Sequence, residues 1–212
     1  MTGGEWEVCD DIEAMLHSLN RLSSITPGRR KLALFACGCC RQIWQCLTNQ
    51  RSREFVVLAE RFADQGVNED LAFRARVVGG AYALAPAALA LDVSTGRREL
   101  NTTTLALEAA RAASRCAANT RLVVKQCGIC RDIFGNPFRP VAVDPAWLAW
   151  RNGTVAKLAQ TIYDDRRFDL LQILADALQE AGCTNADILQ HCHAPGPHVR
   201  GCWVVDLLLG KA

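Results

Sequence analysis

This chain of 212 residues has little net charge and no long apolar run, and each absence excludes a class of function. Its formal net charge of +2 at pH 7 gives no support for a general attraction to nucleic acid or to an anionic membrane. The longest uncharged apolar run, Val77 to Leu91, is shorter than the roughly 18–20 residues that span a bilayer. Because Gly79, Gly80 and Pro86 interrupt this run, we interpret it as buried core.

The motifs of common enzyme classes are absent as well. The chain has no phosphate-binding loop, no G-x-S-x-G turn and no H-E-x-x-H zinc motif. The acidic pair Asp164 and Asp165 stands beside Arg166 and Arg167, which is typical of a solvated helix junction. No residue is therefore assigned a catalytic or cofactor-binding role, and the sequence favours a protein that is not an enzyme.

The N-terminus has no secretory signal, because Met1 to Glu7 lack both a basic start and an apolar segment. We therefore expect a soluble, cytoplasmic protein. Cysteine, by contrast, is abundant, with eleven residues in the chain. In a reducing cytosol these side chains should be thiols or metal ligands rather than disulfides, although free cysteine is also common as a small buried core residue.

Helical periodicity dominates the chain and predicts an all-α fold, a single irregular multi-helix bundle. Residues 31–47 are apolar nearly all round, which predicts a central buried helix that carries Trp44 into the core. Patterns that resemble strands are scarce. The candidates are residues 140–143 and 199–205.

A proline-rich segment divides this bundle into two lobes. Pro137 and Pro140 remove amide donors and push the residues before them toward extended conformations. No flexible linker is visible, so we predict one domain over residues 1–212. Its parts are an N-terminal lobe of about 1–133, a Pro-rich crossing connection of about 134–146 and a C-terminal lobe of about 147–212.

Two CxxC motifs form one candidate zinc site. Cys37 and Cys40 lie three residues apart, and Cys127 and Cys130 repeat that spacing. Residues three apart share a face of a helix, so four thiolates could surround one zinc ion. The helical setting and the long separation favour ordinary core cysteines instead. A redox role for Cys127 and Cys130 would need a βαβ context that the sequence lacks.

The C-terminal cysteines and histidines form the preferred candidate zinc site. Cys183, His191, His198 and Cys202 lie within twenty residues at predicted turns and helix ends, where side chains can converge at a small cost in chain entropy. His193 and Cys192 are the substitutes if the local turn points the other way. Spacing alone nevertheless favours a solvated histidine loop around residues 194–197, with Cys202 and Trp203 in the core, over any zinc site.

Three segments of the chain resemble an uncharacterised family of hypothetical proteins, abundant as paralogues in planctomycete bacteria such as the Gemmata group. They are Leu34–Trp44, Arg131–Pro140 and His198–Gly210. The resemblance implies a bacterial cytoplasmic protein. It carries no activity, ligand or catalytic residue over to this chain.

We therefore expect a non-enzymatic helical module that binds another protein, with structural zinc as a candidate cofactor. Abundant paralogues in the resembled family suit partner-specific adaptors. The alternative is a metal- or thiol-dependent enzyme that uses the C-terminal cluster. A nucleic-acid binder is a weaker alternative, because it needs scattered residues such as Arg29, Arg51 and Arg97 to meet on one face.

Overall fold

The computed structural model describes residues 1–22, 28–65, 102–117 and 121–211, and within them the all-α prediction is confirmed. These residues form ten α-helices and one short 3-10 helix, with no strand. Residues 140–143 are irregular, and residues 199–205 contain a turn and the start of a helix. The apolar run at 77–91 lies outside the described residues. None of the described helices combines the length and apolar character that a membrane crossing requires.

The chain divides into two compact units, Met1–Cys130 and Arg131–Ala212. The division falls just before the Pro-rich segment. The first unit contains the helices α1 (Gly3–Val8), α2 (Ile12–Arg21), α3 (Arg29–Gln42), α4 (Gln50–Gln65), α5 (Thr102–Ala117) and most of α6 (Arg121–Phe134).

Helix α3 forms the centre of the first unit, as its uniformly apolar sequence predicts. Every residue from Leu32 to Cys40 is buried, and the helix packs against α4 and α5. It ends at Gln42 rather than near residue 47, so the prediction for Trp44 was wrong. That side chain is half-buried in the following turn, where the Arg41 guanidinium stacks 4.1 Å from its ring centroid. Arg41 also pairs with the buried Glu60 at 2.8 Å.

The second unit is built around α7 (Pro145–Asp165), two helical segments joined by a kink at residues 150–153, where Arg151, Asn152 and Gly153 have positive φ. Asp144 begins it by accepting a hydrogen bond from the Ala146 amide at 2.8 Å. Helices α8 (Leu171–Glu180) and α10 (Trp203–Leu209) pack against α7, and α8 also packs against α9 (Ala186–His193). The elements of the unit are the last turn of α6, then α7 (Pro145–Asp165), a 3-10 helix (Phe168–Leu170), α8 (Leu171–Glu180), α9 (Ala186–His193) and α10 (Trp203–Leu209).

Candidate metal centre

Four side chains of the second unit bring one ligand atom each to a common point. They are Asp132, His191, His198 and Cys202, and their ligand atoms all lie within 4.8 Å of one another. Asp132 lies in the last turn of α6, His191 in the last turn of α9, His198 in the following loop and Cys202 at the N-cap of α10. The group therefore joins three helix ends.

The end of α6 is shaped by a glycine that places Asp132 beside the other three residues. Gly135 has φ +62° and its amide donates to the Arg131 carbonyl at 2.9 Å, which closes the helix with a left-handed residue. Pro137 then prevents the helix from continuing. Asp132 is thus held one turn before an abrupt change in chain direction.

Helix α9 is short because capping and proline define both of its ends. Asn185 is its N-cap and accepts a hydrogen bond from the Ile188 amide at 3.1 Å. Pro195 and Pro197 follow the helix and prevent its extension. The loop then reverses the chain and brings His198 and Cys202 into the same group as His191.

The carboxylate of Asp132 uses its two oxygens differently. Oδ2 accepts a hydrogen bond from the Val199 amide at 2.9 Å, which ties α6 to the loop. Oδ1 lies 2.7 Å from Nδ1 of His198 and 3.2 Å from Nε2 of His191. One oxygen therefore fixes the orientation of the carboxylate, and the other faces both imidazoles as a single ligand atom.

The tautomer of His198 is set by Ala194. Its Nε2 lies 3.0 Å from the Ala194 carbonyl oxygen, which can only accept a hydrogen bond, so Nε2 carries a proton. Its Nδ1 faces Oδ1 of the ionised Asp132 carboxylate. Because both atoms then present lone pairs, a cation must lie between them: a proton on Nδ1 or a metal ion. Metal-binding histidines usually have their second nitrogen held in this way.

Two contacts of His191 lie close to the ligand spacing of a tetrahedral metal ion. Nε2 of His191 lies 3.2 Å from Sγ of Cys202 and 3.2 Å from Oδ1 of Asp132. Zinc bonds of about 2.0 Å to nitrogen or oxygen and about 2.3 Å to sulfur put neighbouring ligands roughly 3.3–3.5 Å apart. Two donor pairs thus lie close to that spacing, whereas the His198–Asp132 pair at 2.7 Å is shorter and the remaining pairs lie within 4.8 Å.

The group is buried and its charges are coupled. Asp132 is 3% exposed, and the side chains of His191 and His198 are 16% and 10% exposed. Burial opposes ionisation of Asp132, but hydrogen bonds from His191 and His198 outweigh it and hold the pKa of the carboxyl below its usual range. Burial likewise opposes a charge on His198, yet the contact with Asp132 raises the pKa of that imidazole.

Burial, reinforced by the Asp132 charge, raises the pKa of the Cys202 thiol well above its usual value. Without a metal the sulfur is therefore protonated. A metal ion must displace that proton and the one shared by His198 and Asp132, because zinc binds a thiolate and a neutral imidazole.

The group differs by one residue from the preferred set of the sequence. It contains His191, His198 and Cys202, but its fourth member is Asp132 instead of Cys183. Cys183 and Cys192 are buried in the apolar core of the same unit, and burial raises the pKa of Cys192 to about 12. His193 is exposed.

The second candidate set lies in the first unit. Among the described residues, Cys37, Cys40, Cys127 and Cys130 do not form a group with ligand atoms this close together. The Cys37 sulfur contacts the Val56 carbonyl of α4 at 3.9 Å. All four are at most 1% exposed, which is the environment of packed core thiols.

Sequence reasoning missed Asp132. The available signal was the one acidic residue of the helix 121–134, followed by apolar residues just before the Gly135–Pro137 turn, because a buried carboxylate needs a partner. Comparisons of the chain with protein-family models, curated proteins and solved structures give no match, so the functional argument rests on the chemistry of this buried Asp-His-His-Cys group.

Proposed function

We propose that the second unit binds one zinc ion through Asp132, His191, His198 and Cys202, and that the ion has a structural role in a non-enzymatic helical module. The observation that carries this proposal is the convergence of their four ligand atoms within 4.8 Å. A mixed set of oxygen, nitrogen and sulfur suits zinc, whereas magnesium and calcium prefer oxygen ligands alone.

The number of protein ligands supports a structural ion over a catalytic one. A catalytic zinc usually has three protein ligands and keeps one position for water or substrate, whereas a structural zinc is closed by four. The alternative, a metal-dependent enzyme at this cluster, would require one of the four side chains to leave the ion during turnover, or the ion to accept a fifth ligand.

The positions of the ligands support the same role. They come from the ends of α6, α9 and α10 and from the loop between the last two helices. Helices α9 and α10 have only eight and seven residues, too few to be stable without tertiary packing. One ion that binds all four segments would stabilise helices that have little stability of their own.

We also propose that the zinc-stabilised module acts by binding another protein in the cytosol. Its resemblance to a family with many paralogues supports a partner-specific adaptor by analogy. A closed centre fits that role, because an ion with four protein ligands stabilises the folded surface and has no open position for a substrate.

Chelation followed by circular dichroism tests the structural role. Removing zinc should reduce the helical signal and lower the melting temperature, and added zinc should restore both whereas magnesium should not. A ligand at 100 times its Kd stabilises the folded state by about 2.7 kcal/mol, so the shift should be easily measured. A zinc-loaded protein that loses its metal with no change in signal or melting temperature would exclude a structural ion.

A further inference from the structure

The indole of Trp203 packs against the metal ligand His191. The two ring centroids are 5.3 Å apart and the ring planes are tilted by 59°. This separation lies within the range of favourable aromatic pairs. On another side, the His198 ring meets His191 nearly edge-on, at 5.0 Å and 78°. His191 is therefore held between a second metal ligand and a side chain that is not a ligand.

The Trp203 ring also packs against the backbone of Gly135. A Cβ atom at Gly135 would lie 3.1 Å from two atoms of the indole, closer than such contacts normally are. Gly135 is three residues after Asp132, and Trp203 directly follows Cys202. The indole thus touches segments that carry three of the four ligands.

We propose that Trp203 is the positioning residue of the metal centre, orienting the His191 ring by packing it against the end of α6. The inference rests on the proposed zinc site. Outer-sphere groups typically orient a metal-binding histidine through a hydrogen bond to its second nitrogen, as Ala194 does for His198. For His191 the same task falls to an aromatic contact.

Cobalt titration of the metal-free protein tests this inference, because the visible spectrum of bound Co²⁺ reports the geometry of its ligands. We compare wild type with Trp203→Phe, Trp203→Leu and the control Trp150→Leu, whose indole stacks on Arg151 in the same unit. Trp203→Leu should weaken cobalt binding by about 10–100-fold and change the visible spectrum, as loss of an outer-sphere partner does. Trp203→Phe should retain most of the affinity, and Trp150→Leu should match wild type.

Tryptophan fluorescence gives a second measurement that does not depend on a destabilised variant. Zinc binding to wild type should change the indole emission, and Trp203→Phe should remove that change. If wild type binds cobalt and Trp203→Leu binds it equally well with the same spectrum, Trp203 has no positioning role and the zinc proposal stands. If wild type binds neither ion, the zinc proposal itself fails.

Discussion

At the scale of single residues, Cys183 separates the observed group from the set that the sequence favours, whereas Cys202 belongs to both. Cys202→Ser should abolish stoichiometric zinc binding, because a serine hydroxyl is a poor replacement for a thiolate ligand. Cys183→Ser should keep it, since Cys183 is not among the four converging residues. Competition with a chromogenic zinc indicator measures both. Equal zinc loss in the two variants would mean that Cys183 belongs to the centre.

The residues of the centre differ in how well the sequence predicts them. His191, His198 and Cys202 are close in the chain, and their types alone indicate a metal site. Asp132 precedes His198 by 66 residues, and no local spacing connects the two. Aspartate is common at exposed positions, so its role follows only from the way the helix end of α6 packs on the loop.

At the scale of helices, Gly135 determines how α6 ends beside the centre. Gly135→Ala should destabilise the protein by about 1–3 kcal/mol, because alanine is strained at φ +62° and its Cβ would press on the Trp203 ring. Gly210→Ala is the matched control, with φ +63° and no atom near the added Cβ. Urea unfolding should show a larger loss for Gly135→Ala, and equal losses would argue against the Trp203 contact.

Hydrophobic periodicity in the sequence predicts where helices lie more reliably than it predicts where they end. The apolar pattern of residues 31–47 predicts the buried α3, but the helix ends at Gln42 and an irregular turn begins at Ile43. Thr184 and Asn185 are both residue types that can cap α9, and the structure has Asn185 as the cap. Where a helix ends and which residue caps it depend on how neighbouring segments pack, and the sequence of one segment does not specify that packing.

At the scale of the whole molecule, a structural zinc should stabilise the second compact unit, Arg131–Ala212, and leave the first unchanged. Hydrogen exchange should show that removing zinc lowers amide protection in residues 186–209. Protection in α3, residues 29–42, should stay the same, because the ligands all belong to residues 131–212. Equal loss of protection in both segments would contradict a local structural role.

The zinc content of the purified protein, measured by elemental analysis, tests the central claim most directly. The proposed zinc site predicts one zinc per chain in wild type. Asp132→Asn should lose most of the bound zinc, because it removes the charged ligand with little change in size. Asp169→Asn is the control, since its exposed carboxylate pairs with Arg167 at 2.8 Å. A folded wild-type protein that carries no stoichiometric zinc, and binds none when zinc is supplied, would contradict the account.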